Sequence, residues 1–335
     1  MSRPNPILQD MPRLVKENIV QHMDLFSRFS LRRCSKSYKN VIDNCEITFE
    51  KVTLYKIDRW SPELETMYLC FASKHKIKNL HVQYHKLGTR CYIQASEKHP
   101  RYSNDGARFI EDAICIMELA MNDLKTVLNN PKAAIKKLEV NYDGFLARRS
   151  ELFGYLESAF SNLTDKVSAE ELTFSCNVGQ TELLSILPYL KPGTLKYISC
   201  EFIADDVVLN QVAMLNQWKE AKTMCFAECN LPMALLIHFE CASFHRRYLS
   251  LQDVKDIIER GLNLLRTQER FYFRVVASDR DPSVDDYCAR FPEHTRESAY
   301  TNGKKHIRIP DTNHYLELTI NRFLFAVEKM RVPIS

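Results

Sequence analysis

From Glu46 onward, short runs of apolar, β-branched or aromatic residues alternate with longer stretches of helical periodicity. This alternation constrains the fold strongly, because strand–helix–strand order places successive strands in parallel with the helices as crossovers. The predicted strands are Ile47–Tyr55, Leu80–Tyr84, Leu138–Tyr142, Leu172–Cys176, Leu195–Phe202, Met224–Cys229 and Phe271–Ala277. The predicted helices are Phe109–Leu128, Glu151–Leu163, Thr181–Leu190, Val212–Lys222 and Asp253–Leu265. The sequence therefore predicts an α/β fold.

The spacing of the strands narrows this prediction. Between Leu172 and Met224 they recur about every 25–30 residues, close to the period of leucine-rich-type repeats of roughly 20–29 residues. We expect an irregular, leucine-rich-repeat-like stack of parallel strands and helices, with a closed α/β barrel as the competing architecture. The stretch Asp279–Lys305 is predicted to be a long loop, and Ile307–Pro310 and Tyr315–Ile320 to be two closing strands.

The first 43 residues have a different pattern. Asp10 and Ser27 are candidate helix caps, and Pro12 suits the first turn of a helix. Val15, Ile19 and Met23 recur at four-residue spacing and form one apolar face. A second helical stripe comprises Leu31, Cys34, Tyr38, Val41 and Ile42. Residues 10–43 therefore predict two or three short amphipathic helices, which bury too little apolar surface to be stable without a partner or the rest of the chain.

Composition excludes several classes of function. Only 8 of the 335 residues are glycine, and neither a P-loop nor a GxGxxG fingerprint is present. The net charge of +4 is small and does not argue for nucleic acid. The 11 cysteines form no CxxC pair, which predicts reduced thiols in the cytoplasm, the nucleus or both. No apolar run has the length of a membrane span, and no catalytic motif occurs, so we expect neither an enzyme nor a cofactor.

Two local features carry structural predictions of their own. Pro192-Gly193 follows a helical stretch and predicts a turn in which the glycine takes a positive φ. Trp218 has Leu215 and Ala221 on the same helical face, which predicts that the indole packs in the core.

Residues 11–42 resemble the F-box. The family pattern begins with Leu-Pro and spaced aliphatics. It continues with an Asp-Leu pair, an Arg-Val-Cys-Lys-x-Trp-like helix and Leu-Ile, and this sequence matches it loosely. The matching residues are Met11-Pro12, Val15, Ile19, Met23, Asp24-Leu25, Arg33-Cys34-Ser35-Lys36, Tyr38 and Val41-Ile42. Methionine for leucine and tyrosine for tryptophan depart from the pattern but keep apolar bulk.

A second stretch resembles the FTH domain, which this family places behind an F-box. The similar segments are Ile186–Leu195, Leu215–Lys222, His238-Phe239, Leu251–Val254 and His314–Leu318. Residues 85–135 show no motif of either family. The resemblance predicts an F-box over residues 8–45 and a target-recruiting α/β region over residues 46–335, with an FTH-like core at 165–277.

The resemblance implies a substrate-recognition subunit of a Skp–cullin–F-box ubiquitin ligase, which acts by proximity and performs no chemistry. The implied partners are a Skp-type adaptor, a cullin scaffold and an unknown target protein. The candidate adaptor-binding residues are Pro12, Val15, Ile19, Leu25, Leu31, Tyr38 and Ile42. The alternative is an F-box-containing assembly protein without a role in degradation, with RNA-associated regulation as a branch.

Three further clusters of residues suggest metal or nucleic-acid sites. The spacing of Cys225, Cys229, His238, Cys241 and His245 fits no common zinc finger, so we predict no metal site. His81 and His85 have the spacing of a helical metal pair, but their segment is predicted to be a strand. The basic run of Arg28, Arg32, Arg33, Lys36 and Lys39 is interpreted as a solvated helix face rather than a nucleic-acid site.

Overall fold

The computed structural model describes residues 11–57, 64–73, 79–87, 90–96, 107–110, 115–144, 146–203, 209–227, 229, 231–264, 271–290, 303–308, 314–320 and 324–331. The chain divides into two compact units. Unit 1 comprises Met1–Cys176 and Glu182–Leu195, and unit 2 comprises Asn177–Thr181 and Lys196–Ser335. Both units mix helices with strands, which confirms the α/β prediction.

Unit 1 begins with three short helices and continues into a seven-stranded sheet region. Its elements are α1 (Arg13–His22), α2 (Leu25–Cys34), α3 (Lys36–Ile42), β1 (Ile47–Ile57), β2 (Leu64–Ser73), β3 (Leu80–Leu87), β4 (Arg90–Ser96), β5 (Ala107–Ile110), α4 (Ile116–Leu128), β6 (Ala133–Asp143), α5 (Leu146–Ser161) and β7 (Ser168–Val178). The strand order is β7-β6-β1-β2-β3-β4-β5. Strands β1, β6 and β7 are parallel, whereas β1 to β5 are antiparallel neighbours.

The antiparallel part of unit 1 corrects the expectation of a parallel stack. Residues 58–63 alone connect β1 to β2, and residues 88–89 alone connect β3 to β4. Such connections form hairpins, because a parallel crossover needs a dozen or more residues. Strands β2, β4 and β5 were not predicted, and the predicted helix Phe109–Leu128 begins only at Ile116.

Unit 2 contains a second seven-stranded region. Its elements are α6 (Gln180–Leu184, which straddles the division between the units), β8 (Tyr197–Ile203), α7 (Leu209–Met214), α8 (Asn216–Glu220), β9 (Thr223–Phe226), β10 (Cys241–Leu249), α9 (Leu251–Leu264), β11 (Tyr272–Arg280), α10 (Ser283–Cys288), β12 (Gly303–Arg308), β13 (His314–Ile320) and β14 (Leu324–Arg331). The order is β12-β13-β14-β11-β10-β9-β8. Strands β8 to β11 are parallel, and β11 to β14 pair antiparallel.

The end of the chain departs from prediction in two ways. The predicted loop Asp279–Lys305 contains α10 and the first residues of β12. Strand β14 was not predicted; only residues 321–323 separate it from β13, so the two strands form a hairpin. Strand β10 was also missed, because His245, Arg246 and Arg247 interrupt its apolar pattern.

The core of unit 2 includes an aromatic cluster around Trp218. The side chain of Trp218 is 1% exposed, and its ring centroid lies 5.2 Å from that of Phe239 and 5.8 Å from that of Phe226. The indole Nε1 donates a hydrogen bond of 3.2 Å to the carbonyl of Leu235. This geometry confirms that Trp218 is a core residue, with its one polar atom paired as burial requires.

Two glycines are required by the backbone or by packing. Gly193 has a φ of 77°, which confirms the predicted turn after Pro192. Gly261 lies in α9, and a Cβ atom at this position would lie 2.8 Å from Phe271 Cε1. The absence of a side chain at Gly261 therefore allows α9 to pack closely against the residue that precedes β11.

Candidate protein-docking surface

The helices α1, α2 and α3, which we call the helical module, have a small core of their own. It comprises Val20, Tyr38, Val41, Ile42 and Cys45, with Leu31 packed against it. Tyr38 is 1% exposed and is the largest of these side chains. The described core residues come from α1, α3 and the residues that follow α3, with Leu31 of α2 at the edge.

Lys16 closes one side of this core. Its side chain is buried, and Nζ donates a hydrogen bond of 2.6 Å to Ser37 Oγ. The same Nζ lies 5.7 Å from the centroid of the Tyr38 ring. These contacts link α1 to α3 and compensate for the burial of a charge that would otherwise be costly.

The start of α2 is fixed by Asp24 rather than by Ser27, which corrects the predicted cap. Asp24 Oδ1 accepts a 2.8 Å hydrogen bond from the Ser27 backbone N–H, and Asp24 Oδ2 accepts one of 2.9 Å from Ser27 Oγ. Arg28 in the first turn of α2 donates to the carbonyls of Met23 and Gln21. Burial of this guanidinium lowers the pKa of Arg28. These bonds hold the turn between α1 and α2.

The end of α2 is tied to the end of α3 by a two-pronged ion pair. Arg32 Nε lies 2.6 Å from Asp43 Oδ1, and its second nitrogen lies 3.1 Å from Asp43 Oδ2. Two members of the predicted basic face, Arg28 and Arg32, therefore bind acceptors within the module, while Lys36 and Lys39 are exposed. The structure does not describe the side chain of Arg33.

The helical module is joined to the sheet of unit 1 through Asn130. The Asn130 side chain donates a 2.8 Å hydrogen bond to the carbonyl of Cys45 and accepts one of 2.9 Å from the backbone N–H of Lys132. The carbonyl of Lys132 in turn accepts a bond from the Ile47 N–H at the start of β1. A buried amide with both of its ends paired makes this junction specific.

The outer face of α1 carries the exposed aliphatic residues of the module. Leu14 is 78% exposed and Val15 is 43% exposed. Pro12 is also exposed, and Ile19, one turn after Val15, is half-buried. Pro12, Val15 and Ile19 are among the predicted docking residues, whereas Leu14 is not, because it lies off the stripe of four-residue spacing. We call Pro12, Leu14, Val15 and Ile19 the α1 patch.

The other predicted docking residues lie elsewhere. Tyr38 and Ile42 are enclosed in the core of the module, and Leu31 packs partly against that core. Leu25 begins α2, and its side chain lies outside the described part of the structure. The structure thus brings three of the seven predicted residues together at one surface, and the assignment of all seven to adaptor binding stays a prediction.

The described cysteine and histidine side chains offer little geometric basis for nucleophilic or metal chemistry. Cys70 Sγ lies 3.9 Å from His81 Nε2, but burial raises the pKa of Cys70 to about 11, so the thiol is a poor nucleophile at neutral pH. His81 and His85 lie on β3, as predicted. Over the described residues, no group of three histidine, cysteine or acidic side chains is placed to hold a metal ion. No helix in the described ranges is long and apolar enough to cross a membrane.

Comparison with known proteins matches both parts of the chain. The F-box domain family matches residues 8–50, which include the helical module, and the FTH domain family matches residues 150–284. The protein named F-box A protein 224, from Caenorhabditis elegans, is 20% identical over 330 residues, an alignment that covers 93% of this chain and 79% of that protein. No solved structure matches the chain.

An F-box domain therefore lies at the N-terminus and is followed by a mixed α/β region that contains an FTH domain. The resemblance seen in the sequence is confirmed, and the FTH match extends from α5 through β11 to the start of α10.

Proposed function

We propose that this protein is the substrate-recognition subunit of a Skp–cullin–F-box ubiquitin ligase. The α1 patch binds the Skp-type adaptor, the adaptor joins the cullin scaffold, and the FTH region holds a target protein. The protein itself performs no chemistry. It raises the effective concentration of target lysines near the ubiquitin-conjugating enzyme.

The observation that carries this proposal is the exposure of the α1 patch inside an F-box match. Leu14 and Val15 adjoin in sequence and are two of the four large apolar side chains found exposed among the described residues. Exposed aliphatic groups that cluster on a small domain favour burial against a partner, since this removes apolar surface from water. Among the described residues of the module, α1 contributes Lys16 and Val20 to the core, and the exposed side chains of Leu14 and Val15 lie outside it.

Further features support the remaining parts of the proposal. Strands β8 to β11 lie side by side in chain order and are parallel, which supports a leucine-rich-repeat-like arrangement in this part of the FTH region. All eleven cysteines are free thiols, which supports a reducing compartment, the cytoplasm or the nucleus.

The test uses the full chain with Leu14→Glu and Val15→Glu combined. We expect capture of a purified Skp-type adaptor to weaken by about 30-fold or more, because two buried aliphatic contacts would be replaced by desolvated charges. Cullin recruitment through the adaptor should fall in parallel. The measurement is a titration by biolayer interferometry with immobilised adaptor.

The matched control is Met214→Glu, which introduces the same charge at an apolar side chain that is 66% exposed in unit 2. This variant should bind the adaptor as the parent does, and circular dichroism should show that all three proteins are folded. Equal adaptor affinity for the parent and the α1 variant would refute the docking assignment. Adaptor binding without any cullin in the complex would favour the assembly role without degradation.

A further inference from the structure

The parallel strands of unit 2 bury one face and leave the other open. On the covered face of β8 to β11, eight residues are at most 1% exposed and Ala277 is 5% exposed; the eight are Ile198, Cys200, Met224, Phe226, Ala242, Phe244, Phe273 and Val275. On the opposite face, the alternating residues are half-buried or exposed; they are Tyr197, Ser199, Thr223, Cys225, Cys241, Ser243, His245, Tyr272, Arg274 and Val276. We call this second set the open sheet face.

The register of the strands makes the open sheet face continuous. Tyr197, Thr223, Cys241 and Tyr272 are neighbours across β8 to β11. The next row along the strands is Ser199, Cys225, Ser243 and Arg274. The surface is therefore four strands wide, about 14 Å from β8 to β11 at the usual strand spacing, which is wide enough for one extended segment or one helix.

An uncovered face is unusual for parallel strands. Parallel sheets are normally covered on both faces and rich in Val, Ile and Leu throughout. Here the aromatic cluster places Trp218 of α8 against Phe226 on the buried face. The open side has serine, threonine, cysteine and tyrosine in place of large aliphatics, so it is suited to contact with water or with a polar partner.

The basic residues of the open sheet face are Arg274 and His245, and none of its ten residues is acidic. Arg274 and His245 are exposed, and neither side chain has an ion-pair or hydrogen-bond partner among the described residues. Arg247, further along β10, is exposed as well. Acidic residues at the margin are Glu328 on β14, paired in register with Tyr272, and Glu317 on β13, paired in register with Glu328. Such a surface complements a partner that carries carboxylates.

The sheet of unit 1 offers a contrast, because its polar side chains bind one another. Lys51 forms an ion pair with Glu139, and the Tyr55 hydroxyl donates a 3.3 Å hydrogen bond to Asp143. Groups that are already paired gain less from a ligand than Arg274 and His245, whose side chains have no partner among the described residues. The difference selects the open sheet face of unit 2 as the recognition surface.

We propose that the open sheet face binds an acidic segment of the target protein, with carboxylates at Arg274 and His245 and apolar or aromatic groups against Tyr197 and Tyr272. This inference deepens the proposed function and rests on it. Tyrosine and arginine are the residue types that concentrate binding energy at protein interfaces. The central strands β9 and β10 present small side chains, so the partner lies flat between the tyrosines.

The test selects 12-residue peptides from a random display library on the full-length protein and measures their affinity by fluorescence anisotropy. We expect the selected peptides to be rich in Asp and Glu. Arg274→Glu combined with His245→Glu should weaken binding by at least about tenfold, because like charges then face each other. A peptide with its acidic residues changed to lysine should recover affinity for that variant.

The matched control is Lys219→Glu, a charge reversal at an exposed lysine on α8. It should bind the peptides as the parent does. Absence of any selected peptide, selection without acidic bias, or equal loss in the control would overturn the proposal. Binding of a single-stranded RNA 20-mer with the same Arg274 dependence, and no binding of acidic peptides, would also overturn it.

The adaptor titration on the same variants separates this inference from the proposed function. Arg274→Glu with His245→Glu should leave adaptor affinity unchanged, and the α1 variant should keep its peptide affinity. Loss of adaptor binding in the parent with intact peptide binding would remove the ligase role but support the sheet face as a binding surface. Intact adaptor binding without peptide binding would support the ligase role and would remove the sheet face as a binding surface.

Discussion

In the helical module the exposed side chains of the α1 patch are aliphatic, whereas on the open sheet face of unit 2 they are polar, aromatic or positively charged. Among the described residues, the module has a core of five side chains, and Leu14 and Val15 remain exposed. The parallel strands have a complete buried face and can keep the other face polar.

This difference predicts two kinds of interface. Association through the α1 patch should be driven by removal of apolar surface from water and should depend weakly on salt. Association through the open sheet face should weaken as salt is added, because exposed charges are screened at short distances. Substitutions in the residues that support the two surfaces should differ in their effects, from the core of unit 2 as the largest to His238 as the smallest.

Trp218→Ala should have the largest effect, a loss of about 3–5 kcal/mol of stability in unit 2. The substitution removes a ring packed between Phe226 and Phe239 and leaves the Leu235 carbonyl without its donor. Urea unfolding followed by circular dichroism measures the change. Trp218→Phe should lose clearly less stability. A loss of stability below about 1 kcal/mol in Trp218→Ala would show that the packing of Trp218 on the covered face does not stabilise unit 2.

Ile42→Ala should destabilise the helical module by about 2–4 kcal/mol, because Ile42 is 2% exposed within a small core. Val15→Ala is its matched control, since Val15 is 43% exposed and should change stability by less than about 0.5 kcal/mol. Amide hydrogen exchange in α3 reports the difference. Equal effects of the two substitutions would erase the distinction between the core and the patch.

Asp24→Ala should cost about 1 kcal/mol, because the carboxylate caps α2 through the Ser27 N–H. Asp24→Asn should retain most of this stability, as asparagine caps nearly as well. The measurement is again the free energy of unfolding of the module, by hydrogen exchange in α2. A full loss in Asp24→Asn would show that charge, not capping, is the important property.

Acidification should weaken unit 2 slightly through His238. Burial lowers the pKa of His238 below its ordinary value, while its Nε2 donates to the Trp218 carbonyl. The unfolded chain therefore takes up a proton near pH 6.5 that the folded unit resists, so stability is present above that pH and is lost as the pH falls. The ring is partly exposed, and we expect less than about 1 kcal/mol.

The measurement for His238 compares urea midpoints at pH 7.5 and pH 5.5. His238→Gln keeps a donor for the Trp218 carbonyl and should show a smaller pH dependence than the parent. Identical pH dependence in the two proteins would assign the acid sensitivity to other groups.

Much of the fold follows from local pattern. The strands β1, β3, β6, β7, β8, β9 and β11 were predicted at approximately their observed positions. Strands β2, β4, β5, β10 and β14 were not. The missed strands include hairpin partners, such as β2, and strands with charged residues, such as β10. Their residue pattern does not identify them as strands without the neighbouring strand with which they pair.

The candidate site divides in the same way. Spacing placed Val15 and Ile19 on one helical face, whereas the enclosure of Tyr38 and Ile42 and the exposure of Leu14 are seen only in the structure. Periodicity identifies the apolar side of each helix. It does not show which apolar residues of the three helices will pack against one another.

The sequence alone determined the α/β class, the helical N-terminus, the turn at Gly193 and the resemblance to an F-box with an FTH domain, because these depend on residue type and local spacing. The tertiary structure alone decided that Leu14 and Val15 remain in solvent while Tyr38 is enclosed, and that β8 to β11 keep one face open. Burial depends on which surfaces meet after folding, and residues far apart in sequence, such as Asn130 and Cys45, settle that arrangement.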